Sequence, residues 1–193
     1  SVVVVSVGFS GNLAALLASG GDDVSPLTGR ELVARKVKYF SVMAGSFGVK
    51  KHAEYNVIND IPAARKFFAE CPSPIVLTPF EIGKQVVYPG RSIAEDFGWA
   101  EHHPMVEAYK AYHEMPYDRP TWDLTSVLYS VEGPSYFNVS PAGEINVTDQ
   151  GATEFTPDAA GNRYYLTVDS IQAENIKQHF VQLLTKQPAH FNK

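Results

Sequence analysis

A carboxylate and a carboxamide stand two residues apart in Ala53-Glu54-Tyr55-Asn56, within a stretch that runs on through Asp60 to Pro62-Ala63-Ala64-Arg65. On a strand end or loop, residues i and i+2 share a face, so Glu54 and Asn56 are expected to point the same way. One acceptor-only group beside one mixed donor and acceptor suits a vicinal diol better than a planar base or a phosphate. A third polar group strengthens the pattern. Asp123, in Arg119-Pro120-Thr121-Trp122-Asp123-Leu124-Thr125, is a carboxylate opening an otherwise apolar helix. Glu81, just beyond a third apolar run, is a candidate at the edge of the same site. Plainer roles compete: an Asp at a helix start is a favoured N-cap, and Glu and Asn near a strand end are often solvated.

Other tempting residues lack the surroundings that chemistry needs. Asp22-Asp23 follows Gly20-Gly21, which is turn chemistry with no further acid nearby. His102-His103 precedes Pro104 and lacks the spacing of two metal ligands on one helix face. The single Cys71 provides no internal disulfide framework and no thiolate metal site, and reads as a small buried residue at a helix end. The sequence holds no Gly-rich phosphate loop, G-x-S-x-G elbow or H-E-x-x-H.

Positioning these groups requires a scaffold, and the sequence alternates apolar runs with helical patterns. Residues 2–7 read as a buried strand, residues 8–11 as a turn and residues 12–18 as a short helix. Thr28-Gly29-Arg30-Glu31 has the spacing of a capping box and opens a second helix. Residues 38–44 and 74–78 read as further buried strands, and Asp60 starts a helix to residue 69 with Pro near its beginning. Continuous apolar strands separated by helices predict an α/β fold with a mostly parallel sheet covered by helices. In such sheets working groups collect beyond the carboxyl ends of the strands. That rule puts Val7-Gly8, residues 45–56 and residues 78–81 on one rim.

Residues 83–118 are rich in Pro, Gly and aromatics, with one helix over 104–115, and read as an insertion above the rim. A helix is expected over 121–131, then a small β-hairpin region over 135–168, with Asn138-Val139-Ser140-Pro141-Ala142-Gly143 and Ala159-Ala160-Gly161-Asn162 as turn signals. An amphipathic helix over 171–185 closes the chain.

The 193 residues fit one domain with a sizeable core, 45% hydrophobic and 19% charged. A net charge of −5 with scattered cations, grouped only in short runs such as Arg35-Lys36-Val37-Lys38 and Lys50-Lys51, argues against nucleic acid and anionic membranes as partners. No apolar run approaches the roughly 20 residues that span a bilayer. The first residues read as a buried strand, not as the charged and apolar regions of a signal peptide. The compartment stays open: the cytoplasm is favoured, and a periplasmic or secreted location would follow from an upstream signal.

Taken together, these segments resemble the C-terminal portion of the inosine-uridine-preferring nucleoside hydrolases and nucleoside hydrolase-like proteins, over nearly the whole chain. Val5-Ser6-Val7-Gly8-Phe9-Ser10-Gly11-Asn12-Leu13-Ala14 is similar to the family's T-G-x-L-T-N-x-A turn. Ala53-Glu54-Tyr55-Asn56, with Asp60 and Ala63-Ala64, is similar to its A-E-F-N…D-P-E-A-A segment, and Trp122-Asp123-Leu124 stands where the family has H-D-P. The resemblance implies a Rossmann-like nucleoside hydrolase fold and hydrolysis of ribonucleosides to ribose and base. It further implies a catalytic Ca²⁺ held by the Asp123 carboxylate and the Val7 carbonyl, and ribose bound by Glu54 and Asn56, with Trp122 at the substrate; Glu81 joins them as a substrate contact by its position beyond the third strand. Three features depart from the pattern. The N-terminal D-x-D-x-x-x-D-D motif, which supplies further Ca²⁺ ligands and the general base, is absent. Gly48 replaces an Asn six residues before the Glu, and Trp122 replaces a leaving-group His. Read this way, residues 1–193 are the C-terminal part of such a domain, inactive in this form and either homo-oligomeric or associated with an N-terminal fragment. Two rivals stand beside it: a vestigial or sugar-binding protein that kept the pocket, and an unrelated α/β carbohydrate enzyme using Glu54 and Asp123 as acid and base.

Overall fold

The computed structural model describes residues 1–50 and 52–189; Lys51, the second member of the Lys50-Lys51 pair, lies outside them. Along the chain run β1 (Val2–Ser6), α1 (Gly11–Ala18), α2 (Gly29–Lys36), β2 (Val37–Met43), α3 (Tyr55–Ile58), α4 (Ile61–Glu70) and β3 (Ile75–Thr78). There follow α5 (Phe80–Gln85), β4 (Val87–Tyr88), α6 (Gly90–Glu95), α7 (Pro104–Tyr112), β5 (Arg119–Pro120) and α8 (Trp122–Glu132). Last come β6 (Asn138–Val139), β7 (Gly143–Val147), β8 (Thr153–Pro157), β9 (Arg163–Thr167) and α9 (Ser170–Leu184). The main sheet has the order β1-β2-β3-β9-β7-β8, with β6 paired to β9. The pairs β1/β2, β2/β3 and β3/β9 are parallel, and those made by β6, β7 and β8 are antiparallel. This is the mostly parallel, helix-flanked sheet that the apolar runs predict.

Alternation along β2 and β3 sends side chains to two cores. Phe40, Val42, Ile75 and Leu77 pack with Leu13, Val33, Phe67 and Phe68 of α1, α2 and α4. On the other face Val76 joins Leu128 of α8 with Ile176 and Phe180 of α9. A polar seam fixes α8 there: Ser41 Oγ of β2 donates to the Ser126 carbonyl at 2.8 Å, and Thr78 Oγ1 of β3 bonds Ser126 Oγ. Asp123 lies one turn before Ser126, so this seam sets where its carboxylate meets the rim.

Several caps follow the sequence signals. Thr28 and Glu31 form the capping box of α2, and Asp60 accepts from Ala63 N at the start of α4. Asp169 and Gln172 form a second capping box, on α9. Other expectations change. The hairpin is β7–β8, and its turn lies at 148–152, where Gly151 takes φ +79° and Thr148 N donates to the Ala152 carbonyl. Residues 138–143 join β6 to β7 instead, and β9 enters the main sheet beside β3. The α7 helix stops at Tyr112, short of residue 115. Strand β1 is not buried: Val2, Val3 and Val5 are 57%, 36% and 37% exposed. Its apolar run suited a strand with two neighbours, but among the described residues β2 is its one partner.

Candidate functional site

The parallel strands end on one rim, and the loops that leave them carry the candidate residues. Val7 follows β1, Met43 ends β2, Glu54 to Asn56 lie between β2 and α4, and Phe80 follows β3. Trp122 and Asp123 start α8 on the layer above. Val7, Glu54, Asn56, Trp122 and Asp123 all line one cavity of about 440 Å³, so five residues spread over more than 110 positions converge there. Met43, Tyr55, Phe80 and Arg119 complete its walls. Glu81 lines a different cavity, of about 240 Å³, between Phe47 and the end of β9.

Glu54 is 3% exposed, at the end of the loop that leads into α3. It is the N-cap of α3, in extended conformation, where Oε1 accepts from Asn56 N at 2.9 Å and Oε2 from Gly45 N at 3.1 Å. Gly45 is at φ +79°, a conformation that only glycine takes without strain, and this turn aims its N–H back at the carboxylate. Burial holds the Glu54 carboxyl above its ordinary value, against the pull of the backbone N–H groups of Asn56, Gly45 and Val57 and of His52. The carboxylate is thus a latch between the end of β2 and the start of α3. Each Glu54 oxygen accepts one backbone N–H, which ties the carboxylate to the turn at Gly45 and to the start of α3.

Asn56 also differs from the expectation. Its Nδ2 donates to the Met43 carbonyl at 2.9 Å and lies 3.1 Å from Met43 Sδ, while Oδ1 accepts no bond among the described residues. A side chain read as a mixed donor and acceptor therefore offers an incoming molecule its acceptor. Asp123 is the second acceptor. Burial raises its carboxyl above the ordinary range, and the neighbouring Arg119 guanidinium lowers it in part.

An aromatic wall faces these acceptors. Trp122 and Phe80 stack with centroids 5.7 Å apart and planes 24° apart, and Trp122 Nε1 donates to the Phe80 carbonyl at 3.1 Å. A Cβ at Gly83 would overlap the Trp122 ring, so the glycine admits the indole flat against α5. With its one N–H committed, Trp122 has no proton to give a leaving group. Phe80 and Glu81 are adjacent at the start of α5 and so point in different directions. The rim rule applied to residues 78–81 located this corner, but Phe80 is the member that reaches the cavity. Arg119 was within a quoted motif and was missed because its role depends on the β4/β5 pairing, which has no short-range signal.

Glu81 serves a neighbouring loop. Its Oε1 accepts from Ser46 Oγ at 2.5 Å and from Gly48 N at 2.9 Å, and Oε2 is buried without a partner among the described residues. A Cβ at Gly48 would come within 2.9 Å of Glu81 Oε1, so the glycine and this carboxylate fit one another.

Calcium takes six to eight oxygen ligands. The cavity brings Asp123 and the backbone at Val7, while each Glu54 oxygen already accepts a backbone N–H, and an arginine shares the wall. Among the described residues no three His, Cys, Asp or Glu side chains group to hold a metal ion. These residues alone do not make up a Ca²⁺ sphere. Nor does any helix among them reach the length and apolarity needed to cross a membrane.

No family model and no curated protein matches the sequence. Solved structures do. A plant nucleoside hydrolase aligns over 93% of this chain and 61% of its own, at 21% identity and TM-score 0.64. An inosine-uridine preferring nucleoside hydrolase from Bacillus anthracis aligns over 94% and 60%, at 17% identity and TM-score 0.64. A purine-preferring ribonucleoside hydrolase from Gardnerella vaginalis aligns over 95% and 61%, at 15% identity and TM-score 0.65. The chain thus spans about 60% of the length of the structures it matches. It has a nucleoside hydrolase-like fold, a mostly parallel sheet flanked by helices.

Proposed function

We propose that the rim cavity holds a ribosyl group and that it belongs to the C-terminal part of a domain hydrolysing the N-glycosidic bond of ribonucleosides. The observation carrying this reading is the convergence of Val7, Glu54, Asn56, Trp122 and Asp123 on one cavity in a fold shared with nucleoside hydrolases. Asn56 Oδ1 and the Asp123 carboxylate are two acceptors for two ribose hydroxyls. As the glycosidic bond breaks, positive charge grows on the sugar, and the same oxygens stabilise it electrostatically. Glu54 acts one step back, holding α3 so that Asn56 stays on Met43 and faces the sugar. The Phe80–Trp122 wall keeps water from the base side and donates no proton.

Ca²⁺ belongs to this reading only as cofactor of a fuller site, because the described residues supply too few oxygens. There it would orient the diol and acidify a water. The acids in the cavity wall are Glu54 and Asp123; on this reading the first holds the turn at Gly45 and the second the ribose, and neither serves as the general base. The chain by itself is therefore inactive, and the open edge of β1 is where a second copy or a separate N-terminal piece would add. A second reading, a ribosyl-binding protein without catalysis, is favoured by the occupied Glu54 and by the committed indole N–H of Trp122.

Free base released from inosine, uridine or adenosine by the purified chain, with and without Ca²⁺, tests the assignment. No release is expected. Ca²⁺-dependent release by this chain alone would overturn the claim that its residues lack a base and a complete ion sphere.

A further inference from the structure

The cavity has an unassigned cation. Among the described residues lining it, Arg119 is the one positive side chain. A second cavity of about 330 Å³ shares Arg119, Trp122 and Asp123 as a common wall and runs on to Tyr109 and Met105. Again Arg119 is the one cation. The Arg119 guanidinium lies 4.0 Å from the centroid of the Tyr112 ring and forms no ion pair among the described residues. A guanidinium already seated over an aromatic ring has lost part of its rotamer freedom before an oxyanion meets it. The half-buried position weakens solvent screening there.

We infer that Arg119 is a specificity residue that receives an oxyanion carried by the ribosyl ligand, either a phosphate monoester or a carboxylate, in the cleft shared by the two cavities. This rests on the ribosyl reading above and narrows it to acidic nucleoside derivatives. Asn56 Oδ1 and Asp123 take the diol, and the guanidinium, on the wall that Asp123 shares, takes the anion. Asp123 opposes an anion placed close to it, which keeps the anion on the far side of Arg119 from the carboxylate.

The test is calorimetric titration of the chain with adenosine, adenosine 5′-monophosphate and adenosine 5′-carboxylate, in a chelator so that no metal bridges ligand to protein. At least one anionic ligand should bind about ten-fold or more tighter than adenosine, the lower end for a charge-assisted hydrogen bond. Preference for the monophosphate assigns a phosphate ester, and preference for the carboxylate assigns that group. Arg119→Met, which removes the guanidinium and keeps an unbranched stem, should erase the advantage of the anionic ligands over adenosine. Arg119→Lys should restore part of it. Equal affinity for all three ligands, or an advantage that survives Arg119→Met in a variant with native circular dichroism, overturns the inference while the ribosyl reading stands. Failure of adenosine and both derivatives to bind overturns both. Inorganic phosphate binding as tightly as the monophosphate would show an anion site unconnected to ribose, and would also sink the inference.

Discussion

Glu54→Ala removes a carboxylate that the sequence marks as a sugar ligand and the structure marks as a latch. Two backbone donors, Gly45 N and Asn56 N, then lose their acceptor at a position 3% exposed. Each unsatisfied donor costs about 1–3 kcal/mol in a buried setting, and loss of an N-cap acceptor costs about 1 kcal/mol. Part of this is offset, because burial disfavours the ionised carboxyl to begin with. A net loss of about 2–4 kcal/mol follows, which in a chain of this size lowers Tm by roughly 5–15 °C. Glu54→Gln keeps one acceptor and should lose about half as much. Urea denaturation at fixed pH, read by far-UV circular dichroism and tryptophan fluorescence, gives both numbers. A loss under about 0.5 kcal/mol for Glu54→Ala, the range of a surface change, would refute the latch.

Other outcomes follow from the same geometry. Gly83→Ala drives a methyl into the Trp122 ring and should cost about 1–3 kcal/mol, with a shift in tryptophan emission; unchanged emission and stability would mean that the indole is not wedged against α5. The Asp123 carboxyl is raised by burial in the folded chain, so its contribution to stability is full below its unfolded value and is lost as pH rises through the folded one. Asp123→Asn removes that loss. The Tm of the variant relative to the native chain should therefore climb as pH rises above the ordinary Asp value of about 4, and a flat difference would contradict the burial. The open edge of β1 carries no charge to deter pairing, so the chain should self-associate with concentration in sedimentation velocity, and Val5→Lys should return it to monomer. A native chain that stays monomeric at high concentration would show that this edge is not adhesive.

Much of the scaffold was written in local patterns. The strands β2 and β3 are continuous apolar runs, the capping box at Thr28 fixes α2, and Asp60 with Pro62 fixes α4. The rim rule then brings Val7 and Asn56 to one place, because strand polarity decides which ends face together; Asp123 reaches it from α8, held by the contacts of Ser126 with Ser41 and Thr78. Less local features stayed hidden. Glu54 reads as an outward-facing side chain until Gly45 is seen turning its N–H toward it, nine residues away. Arg163 is 2% exposed and closes the carboxyl end of α4, donating to the Phe68 carbonyl at 2.6 Å and the Cys71 carbonyl at 2.8 Å. Nothing in Asn162-Arg163-Tyr164 marks it as internal, since an arginine is buried only where distant carbonyls converge on it. The location of the hairpin was missed for a similar reason. Asn138 to Gly143 and Thr148 to Ala152 both hold turn residues, and pairing with β9 decides between them.

Affinity for a ribonucleoside and for its 2′-deoxy counterpart tests the central claim most directly. The account assigns Asn56 Oδ1 and the Asp123 carboxylate to the ribose diol, so removing one hydroxyl removes one hydrogen bond to a fixed acceptor. Adenosine should bind at least about ten-fold tighter than 2′-deoxyadenosine, given about 1.5–3 kcal/mol for a bond to a charged group. Asp123→Ala should abolish the difference. Equal affinity for the two nucleosides in the native chain would contradict the assignment of this cavity as a ribosyl site.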